Sequence, residues 1–164
     1  MNKYIEFAKE LKMTDAVIIT PRDICFDIRA ILKCLWGCEN DPDNIRCNKR
    51  DLSIQERMDM VKAYHHILLV HANDASSVSL AVLEIERRAF LDGYYFSSAL
   101  RTCNICPECS VKNGQPCPNP KKIRPCDSGF GIDIYKTVRS LGLPINVLQN
   151  KTDMQNRYGF VLID

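Results

Sequence analysis

Apolar positions along the chain recur with two periods, one helical and one strand-like. Tyr4, Phe7, Ala8 and Leu11 fall at helical spacing, and Ala16 to Thr20 follows as a short run of strand formers stopped by Pro21. Ser53-Ile54-Gln55-Glu56 has the form of a capping box, in which serine and glutamate side chains satisfy open amides at a helix start. Ile54, Met58 and Val61 continue one face of that helix, which the spacing predicts over about 54–64. His66 to His71 is apolar through its centre and predicts a buried strand, ended by the turn and cap residues Asn73 to Ser77. Val78, Ala81, Val82, Ile85, Ala89 and Phe90 then recur at helical spacing up to Gly93, and Tyr94 to Ala99 predicts a return strand.

From Arg101 to Cys126 the periodicity vanishes. Proline, cysteine and Asn113-Gly114 dominate, and apolar content is too low for an element with a core of its own. Phe130, Ile134, Val138 and Leu141 restore a helical face, Gly142 and Pro144 stop it, and Ile145 to Leu148 and Tyr158 to Ile163 read as closing strands. Asp127 and Ser128 read as caps of that last helix. The order of elements predicts an α+β fold: a single mixed β-sheet of about five strands with helices packed on it and two cysteine-rich loops, at about 25–50 and 101–127. No linker or repeat divides the chain, so residues 1–164 read as a single metal-binding domain.

Composition changes that picture at one point: 164 residues carry nine cysteines. A chain this long can bury a core without disulfide staples, and an odd number cannot pair off completely. The first fifteen residues mix charge with apolar positions and show no secretion signal, so a cytoplasmic location is expected. No apolar run approaches the roughly 18 residues of a membrane span. In a reducing compartment clustered cysteines point to metal.

Eight of the nine fall into two groups. Cys103, Cys106, Cys109 and Cys117 form a C-x2-C-x2-C run with a later cysteine followed by Pro118, a spacing similar to a bacterial ferredoxin [4Fe-4S] loop. Two-residue gaps let neighbouring thiols converge on one polynuclear centre. Zinc sites use two separated C-x2-C knuckles, which overlapping knuckles sharing Cys106 fit less well; the zinc alternative would use Cys106, Cys109, Cys117 and Cys126. The first group, Cys34, Cys38 and Cys47, is one thiol short of a closed site. Cys126 or Cys25 could complete it, or one iron would stay open; buried thiols packed as small hydrophobes are the alternative. Cys25, alone between Ile24 and Phe26, reads better as core.

Between Arg101 and Cys126 stand five basic residues, Arg101, Lys112, Lys121, Lys122 and Arg124, against Glu108 alone, although the whole chain is only +2. Positive charge of this kind offsets the negative charge of thiolate-ligated metal. Near neutrality overall argues against a nucleic-acid partner. His65, His66 and His71 flank a predicted strand, where hydrogen bonding to the sheet edge is the commoner role than metal ligation. No serine–histidine–aspartate or paired-carboxylate pattern stands out, and Gly129-Phe130-Gly131 lacks the third glycine of a dinucleotide fingerprint.

Arg101 to Cys109, Gly114 to Pro118, Arg124-Pro125 and Gly131-Ile132-Asp133 together resemble the signature of predicted metal-binding proteins catalogued as domain of unknown function 2284, a cysteine-rich family found widely in anaerobic bacteria and archaea. The resemblance extends to Cys34, Cys38, Cys47 and Tyr158 to Asp164. It implies metal or cluster binding with no assigned reaction, and it implies that Cys126, where serine is frequent, is dispensable as a ligand. The sequence therefore leads to the expectation of an iron-sulfur protein, with one or two [4Fe-4S] clusters, in electron transfer to a redox partner protein. An enzyme using an open-site cluster for substrate activation or sulfur transfer, and a zinc-stabilised interaction module, are the alternatives.

Overall fold

The computed structural model describes residues 1–37, 52–150 and 152–164. The elements in chain order are α1 (Asn2–Glu10), β1 (Asp15–Ile19), α2 (Arg29–Trp36), α3 (Ile54–Lys62), β2 (Ile67–Ala72), α4 (Ala75–Leu91), β3 (Ser98–Leu100), α5 (Ile134–Ser140) and β4 (Arg157–Leu162). Among the described residues four strands form one sheet in the order β1-β2-β4-β3, antiparallel throughout, where a mixed sheet of about five strands was expected. None of the helices among the described residues is long and apolar enough to cross a membrane.

The unbroken apolar run of β2 has a direct physical cause, because helices cover both faces of the sheet. Leu68 and Val70 join Val161 and Ile163 under Tyr4 and Ala8 of α1 and Val78, Val82 and Ile85 of α4. Ile67 and Leu69 face the other way with Phe160 and Leu162, against Val61 of α3 and Val138 of α5. The register sets Ile67 opposite Leu162 and Leu69 opposite Phe160, so the two central strands share large side chains on one face. The expected caps start the helices: Glu56 N–H donates to Ser53 Oγ at 3.2 Å, Ser53 N–H to Glu56 Oε2 at 2.8 Å, and Ser77 N–H to Asp74 Oδ2 at 2.6 Å.

Four expectations fail locally. Tyr94 to Ser97 is a turn, closed by the Ser97 N–H to Tyr94 carbonyl bond at 2.9 Å, so the strand begins only at Ser98 and Tyr95 and Phe96 stay exposed. Ile145 to Leu148 does not pair. Only Ile145 is buried, and just beyond it the amides of Gln149 and Asn150 turn to Asp153 Oδ2 at 2.7 and 2.9 Å. The last helix begins at Ile134, capped by Asp133, whereas Asp127 and Ser128 lie in a preceding 3-10 turn closed by Gly131 at φ 74°. Part of the first cysteine loop is helical: Cys34 sits on α2.

Gly159 of β4 is where α4 comes closest to the sheet. A Cβ there would stand 2.7 Å from Val82 and 3.0 Å from Val78, closer than side-chain carbons approach. Gly159→Ala is therefore expected to force α4 outward and lower stability by about 1–3 kcal/mol; an unchanged denaturant midpoint would refute that close approach.

Candidate metal centre

The second cysteine loop has no core, so polar bonds attach it to the sheet and to α4. Its ends meet where the Arg101 amide donates to the Pro125 carbonyl at 2.8 Å. Ser79 of α4 donates from its hydroxyl to the Thr102 carbonyl at 3.1 Å. Glu86, one helical face further along, takes Arg124 in a paired geometry, Nε to Oε2 at 2.7 Å and Nη2 to Oε1 at 2.6 Å, and also accepts the Ala99 amide at 2.8 Å. One carboxylate thus joins helix, edge strand and loop. Within the loop, Gly114 at φ 71° reverses the chain after a 3-10 turn, Ser110–Asn113, a conformation that side chains rarely adopt.

Between these attachments the loop encloses a cavity of about 620 Å³. Cys103, Cys106, Cys109 and Cys117 all stand in its wall. Asn119, also in the wall, donates its side-chain amide to Cys106 Sγ at 3.6 Å. An amide aimed at a sulfur stabilises negative charge on it, and sequence reasoning did not pick out Asn119; its place two residues after Cys117, beyond Pro118, was the available signal. Gly37, the residue after α2, reaches the same wall. The donor set suits soft, thiolate-seeking metal, and the volume suits a polynuclear group. No three Cys, His, Asp or Glu side chains among the described residues are already grouped closely enough to hold a single ion.

Cys126 lies apart from that wall. Its sulfur meets Thr102 Oγ1 at 3.1 Å, Asp127 Oδ1 at 3.3 Å and Ser128 Oγ at 3.5 Å. Burial, with Asp127 acting in the same direction, pushes its thiol up to about 12. Cys34 faces the same 3-10 turn from the other side, its sulfur 3.9 Å from where a Cβ on Gly129 would stand. Cys25 is held by its backbone: its amide donates to Thr137 Oγ1 at 3.0 Å and its carbonyl accepts the Asp133 amide at 2.8 Å, which ties the segment before α2 to α5. Cys38 and Cys47 lie outside the described residues.

Two of the three histidines are engaged elsewhere. His71 is buried in β2, with Nδ1 2.7 Å from Asp15 Oδ2, Nε2 3.0 Å from Asn156 Oδ1 and its ring stacked on Tyr158. His66 Nδ1 meets Asp164 Oδ1 at 2.7 Å. Of the basic residues in the loop, Arg124 is held above its ordinary pKa by Glu86. Arg101 is different: burial pulls its guanidinium below the ordinary value, with Asp127 opposing.

A family model described as predicted metal-binding protein (DUF2284) matches residues 17–163, which include both cysteine groups. No curated protein and no solved structure matches the chain.

The contrast between Cys126 and the cavity cysteines has a chemical readout. Alkylating reagents attack thiolates, so in the folded metal-free protein Cys126 is expected to be labelled by iodoacetamide after Cys103, Cys106, Cys109 and Cys117. Mass-spectrometric mapping that finds it labelled among the first would contradict its burial.

Proposed function

We propose, from the premise that the chain belongs to this family of predicted metal-binding proteins, that Cys103, Cys106, Cys109 and Cys117 hold a [4Fe-4S] cluster and that the protein passes electrons to or from a partner enzyme. The observation that carries the reading is the single cavity of about 620 Å³ with all four residues in its wall. The C-x2-C-x2-C run with Cys117-Pro118 adds the spacing of a cluster loop. A lone zinc ion would draw its sulfurs to about 2.3 Å and needs no space of this size.

When bound, such a cluster supplies reversible one-electron chemistry. The chain's own residues govern how that charge is borne. Asn119 places a donor on the Cys106 sulfur. The prolines and the Arg101–Pro125 bond limit the loop's freedom, so the four cysteines stay in the wall of one cavity without a hydrophobic core beneath them. A reducing compartment suits a quartet of this kind.

A second cluster on Cys34, Cys38 and Cys47 belongs to the same proposal. Gly37, which follows the helix bearing Cys34, stands in the wall of the cavity, and this supports a second site near the first. Cys126, in the turn that the Cys34 sulfur faces, is better placed to serve that first group than the cavity.

Protein purified without air is expected to be brown, with about four iron and four acid-labile sulfide per chain for one cluster and about eight of each for two. Serine in place of any one of Cys103, Cys106, Cys109 or Cys117 should remove most of the visible absorbance, whereas Cys126→Ser should leave the cavity cluster in place. Colourless protein with stoichiometric zinc would sink the iron-sulfur reading.

A further inference from the structure

Arg101 is a buried cation, and among the described residues two of its guanidinium nitrogens have no direct partner. The residue is 8% exposed, and its Nε and Nη2 are buried with no hydrogen-bond partner. Its stem is pressed against the sheet, Cδ standing 3.4 Å from where a Cβ on Gly159 would be, in the tight space left beneath α4. Neither of those nitrogens is bonded to a carboxylate among the described residues. Arg124, in the same loop, is doubly bonded to Glu86. Among the described residues, Arg124 is thus paired and Arg101 is not.

A guanidinium stays protonated in a protein, so Arg101 cannot escape its burial by losing charge. The crevice it lines with Cys103, Ile105, Lys122 and Arg124 measures about 10 Å³, room for a single water at most. A water would satisfy an N–H but would leave the charge uncompensated. Cys103 and Ile105 line this crevice and the large cavity alike, so the segment bearing the first cysteine is the partition between Arg101 and the proposed metal.

We propose that Arg101 is the internal counter-charge of the thiolate centre, acting from behind Cys103 as a positioning residue and not as a ligand. The inference rests on the reading that the four cavity cysteines bind a thiolate-ligated group, but it does not depend on which one. Four thiolates around a zinc dication or around a [4Fe-4S]2+ core leave a net charge of about −2 in either case. Arg101 offsets part of that charge, and the loaded centre in turn compensates Arg101. Two unfavourable burials thereby become one favourable pairing across the Cys103 segment.

The test compares Arg101→Met, which keeps an aliphatic stem over Gly159, Arg101→Gln and Arg101→Lys with the wild type. Each is stripped of metal, then reconstituted anaerobically with ferrous iron and sulfide or, separately, with zinc. Three quantities are read: retention of the bound group against a chelator, the reduction potential of any cluster, and the thermal midpoint of the metal-free protein. The neutral variants are expected to hold the group on the order of 10–100-fold more weakly, to shift a cluster to more negative potential, and to be no less stable than wild type without metal. Arg101→Lys should recover most of the affinity, because it restores the charge.

Neutral variants that bind as tightly as wild type would overturn the proposal. Neutral variants that melt earlier or fail to fold without metal would overturn it as well, since Arg101 would then be a structural anchor. A lysine variant as weak as the methionine one would exclude charge as the cause. Wild-type protein that retains neither iron-sulfide nor zinc would instead overturn the underlying reading of the four cysteines, before any variant is compared.

Discussion

Strand β4, the last in the chain, is inserted between β2 and β3, and the whole arrangement rests on that insertion. Without it β2 would have a single partner and β3, three residues long, would have none. Antiparallel pairing of β4 with β2 and β3 puts Phe160 and Leu162 on one face and Gly159 and Val161 on the other. The glycine lets α4 settle close to the sheet through Val78 and Val82. Once α4 is placed, Ser79 and Glu86 are placed with it, and they are the residues that hold the cysteine loop. The candidate centre is thus built on a face whose position is set by residues contacting Gly159, far from it in sequence.

The loop's positive charge resolves into side chains with different fates. Arg124 is locked to Glu86 and serves as an attachment. Lys121 and Lys122 are exposed, where charge is screened by solvent. Arg101 alone combines a charge with burial and two unpartnered nitrogens. A net charge summed over the segment therefore says little about its chemistry; the depth of each cation decides what it does.

Most of the scaffold could be read from the chain because local and long-range preferences agree there. The capping box at Ser53, the cap at Asp74 and the apolar run of β2 each mark an element whose burial then follows from packing on both sides of the sheet. The errors occur where an apolar run lacks a partner. Ile145 to Leu148 has strand-forming residues but no neighbouring edge, and the sheet closes without it. Tyr95 and Phe96 look like strand residues and are turn residues, because Gly93 and the bond closing at Ser97 leave them outside. Helix α2 did carry a signal, Ile28, Ile31, Leu32 and Leu35 at helical spacing, which the neighbouring cysteines obscured. At the site, the four cysteines singled out by their spacing stand in the wall of one cavity. The solitude of Arg101 could not be anticipated, since an unpaired charge is defined by what is missing around it in space.

The bond from the Arg101 amide to the Pro125 carbonyl bears on how readily the loop would take up the proposed metal group. Joining two distant points of a flexible chain costs entropy that grows with the length between them. Here the ends of the cysteine segment are held to the sheet and α4 by bonds that involve no cysteine sulfur. The ordering left to accompany loading is then confined to the short arcs between neighbouring cysteines. Uptake of the proposed group would accordingly be a local rearrangement on a scaffold whose β2, β4 and α4 are held by their own packing.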